Sequence, residues 1–262
     1  MSAEPVARPR LVRRNYGAGH GYKLDGEQVV GVTTVINAST PKDWMKAWVA
    51  NLTASHAIDH WDELAALGIA ERYTTLSKAV YANTAAKRGT SIHDLLMQLA
   101  RGEEPEVPDD LDGHVQSYLR FAEEWQVQDE LVETAIVSER PYCTYAGTLD
   151  LVARLGDGNR WLLDFKTGNA IYPETALQLA AYRYATSYLG IDGDLHPMPE
   201  IDHVGVVWLR ADGYDLHPYV ADEQTFRTFQ YAYQVASFVL AAKDDRDTII
   251  GRALRPPPRA AA

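Results

Sequence analysis

The segment AGTLDLVARLGDGNRWLLDFKTG, residues 146–168, constrains the fold more than any other part of the chain. Two apolar runs flank Gly156-Asp157-Gly158-Asn159, a strong turn signal, so strands are expected at about 145–154 and 160–166. In WLLDFKTG the charges have apolar neighbours on both sides. Charges are rarely left in such a strand unless they are paired or bound to a metal. Asp164 and Lys166 are two apart, so both leave the same face of the sheet. The tight hairpin can bring Asp150 beside Asp164. Two carboxylates that close repel unless one is protonated or a cation lies between them. A hard divalent ion such as Mg²⁺ or Mn²⁺ prefers oxygen ligands of this kind. Lys166 would then orient an attacking water and offset charge on a phosphorane-like transition state. The plainer reading of Asp-x-Lys is an exposed charge pair of little consequence.

The rest of the chain is arranged around this hairpin. Residues 21–36, GYKLDGEQVVGVTTVI, read as an earlier hairpin turning at Asp25-Gly26, with the Val/Thr run as its second strand. Helical spacing follows from Trp44 to about Ala70, after Thr74-Thr75, and through RGTSIHDLL to about Ala100. An acidic loop at 103–112 leads into a helix at about 109–127, after which the period drops to two. A strand at 132–141 precedes the central hairpin. Pro173-Glu174 opens a helix ending near Gly190. Strands at 203–210 and 214–220 and a helix at about 222–242 complete the pattern. This order predicts an α/β fold. Residues 1–20 are expected to be a flexible basic arm, and 251–262 a disordered tail.

Charge narrows the classes further. The net charge of −11 argues against a general nucleic-acid-coating protein. Residues 1–23 carry +4 and residues 251–262 carry +3, which leaves −18 on the body. An acidic body still binds DNA where divalent metal neutralises carboxylates. One cysteine, Cys143, excludes an internal disulfide framework, a four-thiolate iron–sulfur cluster and a four-cysteine zinc site within the chain. No window approaches the roughly 18 apolar residues of a membrane span. The N-terminus lacks the apolar core of a secretory signal, so a cytoplasmic protein is expected. No phosphate-binding G-x-x-x-x-G-K-[ST] loop occurs.

Gly147-Thr148-Leu149-Asp150, then Leu163-Asp164-Phe165-Lys166-Thr167-Gly168, then Gln178 and Tyr182 on the following helix together resemble the RecB-like branch of the PD-(D/E)XK nucleases. The opening hairpin resembles that of the phage members. The resemblance implies a restriction-endonuclease-like core: a central mixed β-sheet flanked by helices, with a helical N-terminal region. It implies one nuclease domain over 21–250, with the hairpin and helices at 21–130 and the catalytic sheet and helices at 131–242. Asp150, Asp164 and the backbone carbonyl of Phe165 would be metal ligands for Mg²⁺ or Mn²⁺, and Lys166 the catalytic lysine. His93 in Arg-Gly-Thr-Ser-Ile-His matches the family's upstream histidine and would complete the metal shell. Gln178 and Tyr182, at i and i+4, would hold the lysine region and the DNA strand.

Plainer readings stand beside several of these. His93 also reads as a satisfied structural histidine, and Gln178 and Tyr182 as ordinary helix residues. Glu139 is either a further metal ligand or a solvated strand residue. Arg88 meets a phosphate or sits on a helix surface. Trp44, Trp48 and Trp61 are stacking platforms for bases, or buried packing for at least two of them. The arginines of the N-terminal segment track phosphates or form a plain arm. Some members of the branch carry a four-cysteine iron–sulfur cluster, which this chain cannot hold. The resemblance favours a compact phage-type exonuclease acting on linear, end-containing DNA, cytoplasmic in a host if phage-encoded, with any helicase or recombination function supplied by a partner protein. The alternatives are an endonuclease of the same superfamily and a non-catalytic DNA-end-binding or packaging protein.

Overall fold

In a computed structural model the chain is described over residues 11–16, 19–40, 43–81, 84–244, 249–251 and 253. It opens with β1 (Leu11–Tyr16), β2 (Gly19–Leu24) and β3 (Glu27–Gly31), an antiparallel set. Asp25 and Gly26 both take left-handed φ, 51° and 88°, as a two-residue hairpin turn requires. The expected arm is therefore corrected from Leu11 onward. Leu11 is buried and pairs opposite Leu24, so this stretch joins the sheet. Residues 1–10, 17 and 18 of the arm, and all but 251 and 253 of the expected tail, lie outside the described residues.

The hairpin's second strand ends at Gly31, and the Val/Thr run forms α1 (Val32–Ser39) instead. Val32, Val35 and Ile36 fall at i, i+3 and i+4 and are all buried, so burying one helical face outweighs the β-branched preference for strand. The expected helix from Trp44 to Ala70 is divided into α2 (Asp43–Asp59), α3 (Trp61–Ala66) and the start of α4 (Ile69–Tyr81). Arg72 fixes the break. Its Nε donates to the Leu64 carbonyl at 2.9 Å, which also accepts the Leu67 N–H, and its Nη2 to the Leu67 carbonyl at 3.1 Å, so it ties down the end of α3. Among the described residues of α2–α4 only Leu64 is buried. Trp48 and Trp61 are exposed, not packed as the plainer reading had it, because these helices have no sheet to cover. The side chain of Trp44 lies outside the described residues.

Then come α5 (Thr84–Ala100), α6 (Asp112–Glu124), β4 (Gln128–Arg140), β5 (Cys143–Arg154), β6 (Arg160–Lys166), α7 (Thr175–Arg183), β7 (Ser187–Leu189), β8 (Leu195–Pro197), β9 (His203–Arg210), β10 (Gly213–Pro218) and α8 (Glu223–Asp244). The helix expected to end near Gly190 stops at Arg183, and the two short strands after it extend the sheet beyond β4.

Among the described residues ten strands form one mixed sheet centred on β5. One edge of β5 pairs antiparallel with β4 along its length. The other edge is divided. β3 pairs parallel to it at Tyr145 and Ala146, and β6 antiparallel from Leu151 to Arg154. Between them the edge of residues 147–150 is open. β9 runs parallel to β6 on its far side and carries β10.

Helices α1, α7 and α8 bury one face of the sheet, with Val35, Ile136, Leu149, Leu162, Leu179 and Phe229 at the centre. Helices α5 and α6 bury the other, around Leu96, Phe121, Leu151, Leu163 and Phe165. A third cluster lies under the first hairpin. The chain is thus a mixed α/β structure with a sheet flanked by helices. No helix among the described residues is long and apolar enough to cross a membrane.

Candidate active site

β6 alternates strictly. Trp161, Leu163 and Phe165 enter the α5–α6 core, whereas Leu162 enters the opposite one. Asp164 therefore faces α7 from between apolar neighbours in the strand and is 1% exposed. Asp150 sits where the open stretch of β5 meets its pairing with β6. Alternation breaks here, because Leu149 and Val152, three apart, join the same core. In register opposite Asp150 lies Glu133, whose φ of 45° is left-handed in the middle of a strand.

The fork lets β6 reach into the opening. The Phe165 amide N–H donates to Asp150 Oδ2 at 2.9 Å, tying the two acidic strands together. His93 projects from α5, held beside the sheet by buried Ile92 and Leu96, and its Nε2 lies 2.9 Å from Asp150 Oδ1. Lys166 Nζ lies 2.5 Å from Asp164 Oδ2. From α7, Gln178 Nε2 donates to Asp164 Oδ1 at 2.8 Å and to the Tyr182 hydroxyl at 3.3 Å. Tyr182 can lie this close only because Gly147 has no side chain. A Cβ there would come 2.6 Å from Tyr182 Cε1. These six side chains share one pocket of about 440 Å³.

The electrostatics follow from putting two acids and two bases in one buried slot. Burial raises the Asp150 carboxyl, but the charges of His93 and Lys166 and the Phe165 N–H together hold it below the ordinary range. Asp164 goes the other way: burial, only partly offset by Lys166 and reinforced by Asp150, lifts it to about 6. Burial pulls the His93 imidazole down, yet the Asp150 carboxylate overrides it and lifts His93 to about 9. Lys166 is likewise held charged by Asp164 and Asp150 against its burial. Burial pushes the Tyr182 phenol well up, and both aspartates add to this, so it stays protonated.

One consequence is measurable in metal-free protein. The folded pKa of His93 lies above its unfolded value near 6.5, so its pair with Asp150 contributes fully below about pH 6.5. That contribution is lost as pH rises through about 9. In EDTA the melting temperature should fall across this window, and His93→Gln should flatten the fall. An unchanged slope in the variant contradicts the pairing.

The site includes residues that sequence reasoning missed. Glu133 and Thr33 line the pocket, together with Thr148 of the Gly147–Asp150 motif and Arg13, one of the N-terminal arginines that the sequence offered for phosphate contact. Thr148 is fixed by the Tyr22 hydroxyl at 2.8 Å. Glu133 was findable. The two-residue turn at Pro141-Tyr142 sets Arg140 opposite Cys143, and counting back places Glu133 opposite Asp150. Glu139 is not part of the site. It is exposed, pairs opposite Thr144, and lies six residues along β4, roughly 20 Å from Asp150's level. The backbone of Arg88 is in α5 but its side chain lies outside the described residues.

Asp164 Oδ2 is buried and, Lys166 apart, without a hydrogen-bond partner. A carboxylate oxygen whose sole neighbour is an ammonium, beside a second buried carboxylate and an imidazole, is a donor set that suits a hard or borderline divalent cation. The carbonyl of Phe165 leaves its strand on the same edge as the N–H that meets Asp150. Among the described residues, no three His, Cys, Asp or Glu groups converge as a ligand cluster. Each aspartate instead faces its own cation.

No family model matches the chain, and no curated relative matches it. A solved structure described as the crystal structure of SSO0001 is similar over 73% of this chain and 73% of its own, with 16% identity and a TM-score of 0.31. A likeness of that size carries no argument about activity.

Proposed function

We propose that the chain is a divalent-metal-dependent deoxyribonuclease with a restriction-endonuclease-like core of the RecB-like PD-(D/E)XK kind, acting as an exonuclease on linear DNA. The observation that carries this reading is the meeting of Asp150 and Asp164, from two strands at a fork in the sheet, with Lys166 on one carboxylate and Gln178 fixing its orientation. Structural ion pairs rarely require two buried acids to share one slot, because desolvation costs several kcal/mol per ion.

Asp150, Asp164, His93 and the Phe165 carbonyl would hold Mg²⁺ or Mn²⁺. The bound ion would acidify a water and stabilise the charge of a phosphodiester under in-line attack. The chain's own groups do the rest. Lys166 places a positive charge beside the phosphate and orients the water. Gln178 fixes one oxygen of Asp164, and the other, now paired with Lys166, is the one that would turn to the ion. Tyr182, neutral, contributes a hydroxyl at the wall.

Labelled linear DNA and covalently closed circular DNA, incubated with wild type in Mn²⁺, in Mg²⁺ and in EDTA, test the proposal. Metal-dependent loss of nucleotides from the linear substrate with the circle intact is the expected result. Nicking of the circle would make it an endonuclease instead. Binding without cleavage in either metal overturns the hydrolytic reading. That outcome favours a DNA-end-binding or packaging protein, the reading that the pairwise-neutralised charges also suit.

A further inference from the structure

We infer that Arg13, braced by Glu133 and Arg101, forms an anion seat on the rim of the Asp150–Asp164 pocket that takes a phosphate of the bound strand; this rests on the nuclease reading above. Arg13 Nη1 donates to Glu133 Oε1 at 2.8 Å, and Arg101 Nη2 donates to Glu133 Oε2 at 2.6 Å. Two guanidiniums thus hold one carboxylate, and the cluster keeps one positive charge. Arg13 and Glu133 line the same pocket as the two aspartates. Arg13 stays partly exposed, its Nη1 is taken by Glu133, and its buried Nε has no hydrogen-bond partner among the described residues, so the guanidinium is not saturated. A guanidinium is weakly hydrated and presents planar donors that match phosphate oxygens.

Two further features converge on the same rim. Glu133, the brace, holds its left-handed backbone in mid-strand, a conformation that persists only where its surroundings impose it. The first turn of α1 adds Thr33 to the pocket wall. Its N-cap, Gly31, supplies no side-chain cap and no acid lies in that turn, so the positive end of the helix is left unneutralised. The aspartates do not repel an incoming anion, because His93 and Lys166 already face them.

Fluorescence anisotropy in EDTA tests this without cleavage. The probes are single-stranded oligonucleotides with a 5′-phosphate, a 3′-phosphate or two hydroxyl ends, titrated at several salt concentrations. Arg13→Gln should weaken binding about tenfold and make the log–log salt slope less negative by about 0.7, the value of one lost phosphate contact. Arg13→Lys should restore part of both, and Arg101→Gln should lose less in the same direction. Loss confined to one phosphorylated end identifies a terminal phosphate as the occupant. Equal loss on all probes identifies an internal one, and either supports the seat. Unchanged affinity and salt slope in Arg13→Gln, with a melting temperature near wild type, overturn it. Failure of the nuclease reading shows separately, as wild type that does not cleave in Mn²⁺ whatever Arg13 does.

Discussion

Lys166→Ala should reduce metal-dependent cleavage by roughly 10³-fold, about 4 kcal/mol of transition-state stabilisation, with little change in DNA affinity. Lys166 stands 2.5 Å from Asp164 and on the wall of the pocket, so its charge lies where negative charge would develop. The variant should still fold. Asp164 is already raised to about 6 by burial. Without the ammonium it rises further and is buried as a neutral acid, which avoids an uncompensated buried charge. The measurement is single-turnover cleavage of labelled linear DNA in Mn²⁺, with a melting curve as control. A rate within tenfold of wild type, from a folded variant, removes Lys166 from the chemistry.

Gly147→Ala should lower stability by about 2–3 kcal/mol and impair cleavage as well. The new methyl would lie 2.6 Å from Tyr182 Cε1 and 3.2 Å from Val32 Cγ2. Neither neighbour can retreat easily. Tyr182 is buried in the α1–α7–α8 core, and Val32 is 1% exposed at the start of α1. Moving the ring also disturbs Gln178, which fixes Asp164. Tyr182→Ala removes the 2.6 Å clash and leaves only the 3.2 Å contact with Val32, so Gly147→Ala should cost much less in that background. Denaturant melts of the four proteins of this cycle give the coupling energy. If the two changes are simply additive, the ring does not depend on the glycine.

The parts of the fold that were legible in the sequence are those in which local pattern and final burial agree. The strands of β4–β6, β9 and β10 were readable because their turn residues and apolar runs serve the same sheet. Gly158 takes a left-handed φ of 82° in the GDGN turn, as its residue type suggested. The convergence of Asp150, Asp164 and Lys166 followed from that hairpin, and the i, i+4 spacing placed Gln178 and Tyr182 together. Three things were hidden. Val32–Ile36 has strand-like residues but a helix-like spacing, and packing decided between them. β7 and β8 span three residues each, too few to show any period. Glu133 shows only when register is counted back across the Pro141-Tyr142 turn, because its importance lies opposite Asp150 and not in its own neighbourhood.

The division of one edge of β5 between β3 and β6 has an effect on solvent. Peptide groups of residues 147–150 that face the gap meet no ladder partner there among the described residues. Unmatched amides and carbonyls exact a steep free-energy cost in a dry environment, so such a gap must hold water or a polar guest. The two aspartates therefore border a crevice lined by main-chain polar groups, cut into a layer that is otherwise apolar. A substrate entering it can be gripped by main-chain groups that do not discriminate one base from another.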